Sequence, residues 1–325
     1  MIEVRNLTRR YGRTLALDDV AFHVARGEVV GFLGPNGAGK STCMKILTGS
    51  LAPDRGEVRI GGVDLLEQPL GARRLVGFMP ENVPLYPEAP VRDLLRFVAD
   101  LKGVPRGDTA AHVEAVMDRC GLREMADRPV GHLSKGYRQR AGLAQALVGD
   151  PPVLILDEPS SGLDPHQIVE IRRLIAGFRG EKTVLLSSHI LAEVGQVCER
   201  VLILDRGRLV SEEAAADLAD HRRATVVLSW DGDRGAVADA LADVVGRDNV
   251  QLTEGGAEVS IAGNPVEIKP RLVESVLRAG GRLQGLEDRG PTLEDLFLRL
   301  TGADGGPPPR DPAGPPPPRD PEEAP

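Results

Sequence analysis

The chain has 325 residues, of which 41% are hydrophobic and 3% aromatic, and a net charge of −8. This length fits two domains of about 100–200 residues each, and the acidic balance argues against a phosphate-backbone partner, so no nucleic acid is expected. No apolar run approaches the roughly 18 residues of a membrane span, and the opening MIEVRNLTRRYG lacks a signal-peptide core, which points to a cytoplasmic chain whose Cys43, Cys120 and Cys198 are reduced and buried.

Tyr11, in RRYG, offers a flat face that either packs or stacks on a base. The run EVVGFLG then reads as a buried strand, and KSTCMKILTG as a helix ended by Gly49. Between them stands GPNGAGKST: Gly34, Pro35, Asn36, Gly37, Ala38, Gly39, Lys40, Ser41 and Thr42. Its spacing is G-x-x-x-x-G-K-[ST], between a strand and a helix, as phosphate binding requires. The glycines let backbone N–H groups turn inward toward anionic oxygens. Lys40 can reach β- and γ-phosphates, and Ser41 can place its hydroxyl on Mg²⁺.

A helical stretch runs from Val91 to Gly149 without strand signals. VLILDEP follows, four apolar residues and then Asp157 and Glu158. Asp157 is placed to hold Mg²⁺ through water, and Glu158 to orient and deprotonate an attacking water. A solvated Asp–Glu pair at a strand end is the plainer alternative. TVLLSS is a further continuous apolar run of the kind that suits a strand covered on both faces. These elements predict an α/β domain around a parallel sheet with Mg-dependent ATPase or GTPase chemistry. No N-K-x-D guanine-reading stretch is present, which favours ATP.

Residues 223 to 300 read as a second unit: strand, helix, a hairpin turning at Gly255–Gly256, helix, strand. That βαββαβ order predicts a small α+β ferredoxin-like sandwich, followed by a helix capped by Thr292. From Gly302 the chain carries ten of its 26 prolines and almost nothing apolar, which predicts a disordered tail. The expected division is therefore 1–215 with a helical subdomain at about 82–150, then 216–301, then 302–325.

Further stretches narrow the class. LSKGYRQR, Leu133 to Arg140, resembles the signature of ATP-binding cassette (ABC) proteins, which usually begins LSGGQ. SGLD, Ser161 to Asp164, resembles that family's D-loop, and the SSH ending at His189 its switch histidine. GFMPE, Gly77 to Glu81, stands where the family has its Q-loop, and RRYG where it has its adenine-stacking aromatic. These five motifs, together with the phosphate loop and the Asp157–Glu158 strand end, occur in the family's order across residues 1 to 215. The resemblance implies a P-loop ABC ATPase domain and a head-to-tail homodimer, or a dimer with a related subunit, holding two ATPs. Each ATP would lie between Lys40 and Ser41 of one chain and Ser134, Gly136 and Asp164 of the other. Tyr11 would stack on adenine, and His189 would hold the attacking water with Glu158.

The sequence departs from the family pattern in two places. Glu81 stands where Gln is usual, a carboxylate able to ligate Mg²⁺ but without N–H donors. Lys135 and Tyr137 replace the usual Gly and Gln. Glu81 and the closing PTLEDLFLRLTG resemble bacterial ABC-2-type drug-export and gliding-motility ATPases. This implies a subunit peripheral on the inner face of the cell membrane, driving export through a separate integral membrane permease. The segment Glu81 to Pro90 is the candidate docking surface, with Leu85 and Tyr86 either exposed for contact or capping the local core. The competing expectation is a soluble cassette ATPase acting in translation or DNA repair.

Overall fold

A computed structural model describes residues 1–188, 191–214, 224–253, 255–261 and 265–289. His189, the helix expected at Thr292 and the proline-rich tail lie outside the described residues.

The centre of the molecule is a six-stranded sheet. Its strands are β3 (Val29–Leu33), β6 (Val76–Met79), β7 (Val153–Leu156), β8 (Thr183–Ser188), β9 (Arg200–Asp205) and β10 (Arg208–Ala214), in the order β10-β9-β3-β8-β7-β6. All pairs are parallel except β9 with β10. The continuous apolar runs are explained by burial on both faces. Val29, Leu33, Leu154, Leu156, Val184 and Leu186 point into one core, and Val30, Phe32, Val153, Ile155 and Leu185 into another. Each such side chain contributes about 1.5–3 kcal/mol when fully buried.

The second core is closed by an antiparallel sheet that the apolar pattern did not announce. It is ordered β2-β1-β4-β5, from β1 (Ile2–Tyr11), β2 (Thr14–Val24), β4 (Arg55–Ile60) and β5 (Val63–Asp64). Register shifts between Val4 and Arg10 break the alternation along β1, which hides its inward face from a period-two reading. The helix α1 (Lys40–Leu47) packs in the same core through Cys43, Met44, Ile46 and Leu47 and ends as expected at Gly49, φ 67°. A short α2 (Pro69–Arg74) precedes β6.

The first core is covered by α3 (Val91–Lys102), α4 (Arg106–Arg119), α5 (Lys135–Leu147), α6 (Pro165–Ala176) and α7 (Leu191–Val197). In α3, Val91, Leu94, Leu95, Val98 and Ala99 form one apolar stripe at helical spacing. All three cysteines are buried and free.

Beyond residue 224 lie β11 (Ala224–Asp231), α8 (Arg234–Val245), β12 (Val250–Thr253), β13 (Gly256–Ile261), α9 (Pro265–Arg278) and β14 (Arg282–Arg289). The strand order β12-β13-β11-β14, all antiparallel, is that of a ferredoxin-like unit. It has its own buried cluster around Trp230, Leu241, Val259 and Leu272. The helix α9 carries Pro270 inside it. Among the described residues no helix is long and apolar enough to cross a membrane.

Two glycines separate close packing from helix propensity. A Cβ on Gly77 of β6 would lie 2.2 Å from the Ala146 carbonyl oxygen at the end of α5, and 2.8 Å from Leu154 and Pro151. One on Gly107, near the start of α4, would meet nothing within 4 Å. In urea unfolding of the full chain, Gly77→Ala is expected to destabilise by about 1–3 kcal/mol. Gly107→Ala should stabilise by up to about 1 kcal/mol.

Candidate functional site

The carboxyl ends of β3, β6, β7 and β8 all point the same way, where open parallel sheets bind ligands. The polypeptide leaves β3 at Leu33 and turns through the glycine-rich loop into α1. Gly37 and Gly39 take φ 83° and 109°, conformations that only glycine adopts without strain. Gly39 has no room for a side chain, since a Cβ would lie 2.5 Å from the Ala16 carbonyl oxygen. Lys40 is 7% exposed, and its Nζ donates to the carbonyls of Gly34, at 2.7 Å, and Pro35, at 3.2 Å. Burial pulls its pKa down, while the charges of Glu158, Asp157 and Glu81 pull it partly back. The ammonium is thus held at a focus of negative charge, in a loop whose N–H groups invite anions.

The second element comes from sheet register. Leu156 of β7 pairs with Leu186 of β8, which sets Asp157 beside Ser187. The fully buried Ser187 Oγ donates to Asp157 Oδ1 at 2.6 Å and accepts from the Glu158 backbone N–H at 2.8 Å. Asp157, only 7% exposed, is also tied to β6, its N–H donating to the Met79 carbonyl at 2.8 Å. Glu158 takes φ 49°, a left-handed conformation unusual for a non-glycine residue. Strain of this kind, about 1–3 kcal/mol, collects at functional sites.

A cavity of about 550 Å³ joins these parts. Of the residues expected from sequence, Tyr11, Asn36, Gly37, Gly39, Lys40, Ser41, Thr42, Glu81 and Glu158 line it. Gly34, Pro35 and Ala38 belong to the loop backbone behind it, and Asp157 sits deeper against Ser187. Tyr11 closes the β1–β2 hairpin opposite Thr14 and is 46% exposed. The Arg9 guanidinium lies 5.2 Å from its ring centroid and is itself held by Asp54 at 2.8 Å. One ring face is thereby backed by a cation.

Ser134, Gly136 and Asp164 are not among the residues lining that cavity. They form a second group. Ser134 caps α5 by accepting from the Tyr137 N–H, and Asp164 caps α6 by accepting from the Gln167 N–H at 2.9 Å. A Cβ on Gly136 would lie 2.6 Å from the Gln167 side chain, and one on Gly162 would strike the Lys135 ammonium. Gln139 of α5, buried, donates to the Pro159 carbonyl at 3.2 Å and fastens this group to the end of β7.

Sequence reasoning missed Ser187, and missed Thr14, Leu15, Ala16 and Arg206 on the cavity wall. The signal for Ser187 was a hydroxyl at the end of an apolar run beside the strand carrying the acidic pair. Leu85 and Tyr86 divide the two alternatives: Leu85 is half-buried against the first core, while Tyr86 is 59% exposed and packs edge-on against Phe97 at 5.9 Å. Among the described residues no cluster of three or more acids, histidines or cysteines can hold a metal by itself. Mg²⁺ needs no such cage, because it is commonly held by one or two carboxylates together with substrate phosphates.

Comparison with known proteins agrees with this geometry. The ABC transporter family profile matches residues 17–161. The Nod factor export ATP-binding protein I of Paraburkholderia xenovorans (strain LB400) is 38% identical over 306 residues, covering 93% of this chain and 97% of that protein. The ATP-binding cassette MJ0796, solved as a dimer in a post-hydrolysis state bound to ADP and Pi, superposes with a TM-score of 0.61 at 26% identity, over 66% of this chain and 99% of that one. The cbiO1 protein of Clostridium perfringens, part of the ABC transporter complex cbiONQ, superposes with a TM-score of 0.62 at 29% identity, over 68% and 90%. The chain belongs to the ABC transporter family, as an ATP-binding and ATP-hydrolysing subunit.

Proposed function

We propose that two copies of this chain close head to tail around two ATP molecules and drive export through a separate membrane permease. The observation that carries the reading is the separation of the two halves of the site. Lys40, Ser41 and Glu158 face one cavity, while Ser134, Gly136 and Asp164 are built together elsewhere and do not line it. A second copy supplies what each half lacks, and the similar MJ0796 cassette is itself dimeric.

Within one half-site, the loop N–H groups and Lys40 bind the phosphates, and the free face of Tyr11 receives the adenine. Ser41, Asp157 and Glu81 would hold Mg²⁺, which when bound neutralises charge on the phosphate oxygens. Glu158 orients the attacking water and takes its proton. Ser187 is a positioning residue: its one hydroxyl fixes the Asp157 carboxylate and the Glu158 backbone together. The partner's Ser134 end of α5 adds N–H donors and the positive helix end toward the far phosphate. His189 is proposed to hold the same water.

The membrane side of the reading rests on Tyr86 and Phe97, an exposed aromatic pair beside the segment that carries Glu81. This pair would meet the permease, with the chain peripheral on the inner membrane face. The Nod factor export relative and the cbiONQ complex support a transporter role. The unit at β11–β14, with its own core, supports a domain division near residue 215.

Three outcomes are expected. Glu158→Gln should bind ATP without hydrolysing it, so sizing chromatography with Mg-ATP gives a dimer, and a monomer with and without ATP contradicts the clamp. Ser187→Ala should lower turnover by about 10–100-fold while ATP affinity changes far less, measured by steady-state hydrolysis and equilibrium binding. Tyr86→Asp should abolish co-purification with detergent-solubilised membranes while hydrolysis by the isolated chain is retained.

A further inference from the structure

One cation on the cavity wall belongs to none of the motifs. Arg206 sits in the two-residue turn between β9 and β10, where Asp205 pairs with Arg208. Arg206 has φ 45° and Gly207 φ 81°, both left-handed. A hairpin turn of that type favours Asn, Asp or Gly at its first position, so arginine there works against local preference. Local conflicts of this kind collect at functional positions.

The turn is clamped on both sides. The Gly207 N–H donates to the Ala38 carbonyl of the phosphate loop at 2.9 Å, and the Gly207 carbonyl accepts from the Asp18 N–H at 2.8 Å. A Cβ on Gly207 would lie 2.8 Å from the Ala16 carbonyl oxygen. The Arg206 backbone is therefore fixed between β2, which carries the base-side wall of Thr14, Leu15 and Ala16, and the loop that takes the phosphates. The two neighbouring charges differ in their engagement. Arg208 Nε is bound to Asp18 at 2.7 Å. Among the described residues, Arg206 Nε has only Asp205 at 3.9 Å, beyond hydrogen-bond distance, and its side chain is 80% exposed.

We propose that Arg206 is a nucleotide contact, pairing its guanidinium with the phosphate nearest the sugar. This rests on the ATP reading of the cavity and adds a residue to it. An arginine fork suits phosphate oxygens, and a charge-assisted pair at an exposed rim contributes modestly to affinity. It acts on any adenine nucleotide that carries that phosphate, so ADP and ATP are affected alike.

The test is equilibrium binding of ADP and of ATP, each with Mg²⁺, to the full chain and to Arg206→Asn, Arg206→Lys and Lys40→Ala. Asparagine suits the turn, so Arg206→Asn should melt at or above the parent temperature without nucleotide. Its Kd for ADP and for ATP should both rise by about two- to fivefold, by the same factor. Arg206→Lys keeps the charge but not the fork and should recover part of the loss. Unchanged affinities in Arg206→Asn, a loss confined to ATP, or no recovery in Arg206→Lys would each overturn the assignment. Lys40→Ala separates the two levels: if it binds both nucleotides as the parent does, the ATP reading of the cavity itself fails.

Discussion

Register in the parallel sheet is the constraint on which the site depends. Because Leu156 pairs with Leu186, the residues just past them, Asp157 and Ser187, meet at hydrogen-bond distance. Because β3 lies on the other side of β8, with Leu33 opposite Ser188, the phosphate loop begins at the same level. A slip of one residue in either pairing would turn the apolar side chains of a strand to the other core and pull the loop away from the carboxylates. Two-sided burial forbids that slip. The energy that specifies the site is thus hydrophobic, spread over five strands, although the site itself is polar.

Within that frame the polar groups restrain one another. Lys40 draws Asp157, Glu158 and Glu81 into one electrostatic neighbourhood, while loop carbonyls hold its ammonium in place. The Ser187 hydroxyl, donor to one acid and acceptor from the backbone of the other, lets the chain keep Glu158 in a left-handed conformation. Preorganisation of this kind lowers the reorganisation needed when charge develops on a transferring phosphoryl group. Glu81 adds a second carboxylate to the cavity wall beside Glu158, where a neutral amide is usual in the family the motifs resemble.

Much of this was legible in the sequence. The glycine loop, Lys40, Ser41 and the Asp157–Glu158 pair are local motifs at the ends of apolar runs, and their spacing carries their chemistry. The order of the last four strands was legible for the same reason, since turns and short alternations are local. What was not legible is non-local. Ser187 gains its role only when β7 and β8 pair. Arg206 enters the cavity only because the β9–β10 turn is pinned to Ala38 and Asp18. The inward side of Leu85 was not legible because the proline-rich stretch around it follows no period from which a face could be read. The antiparallel sheet was hidden by the irregular register of β1.

The central claim is that one chain holds half of each ATP site. It is tested most directly by mixing two inactive variants, Lys40→Ala and Ser134→Arg, and measuring ATP hydrolysis. Lys40→Ala leaves the signature half intact, and Ser134→Arg leaves the phosphate-loop half intact, so a mixed dimer contains one whole site. The account predicts that the mixture hydrolyses ATP well above the sum of the two variants assayed alone. A mixture no more active than that sum, with mixed dimers demonstrably formed, would contradict it.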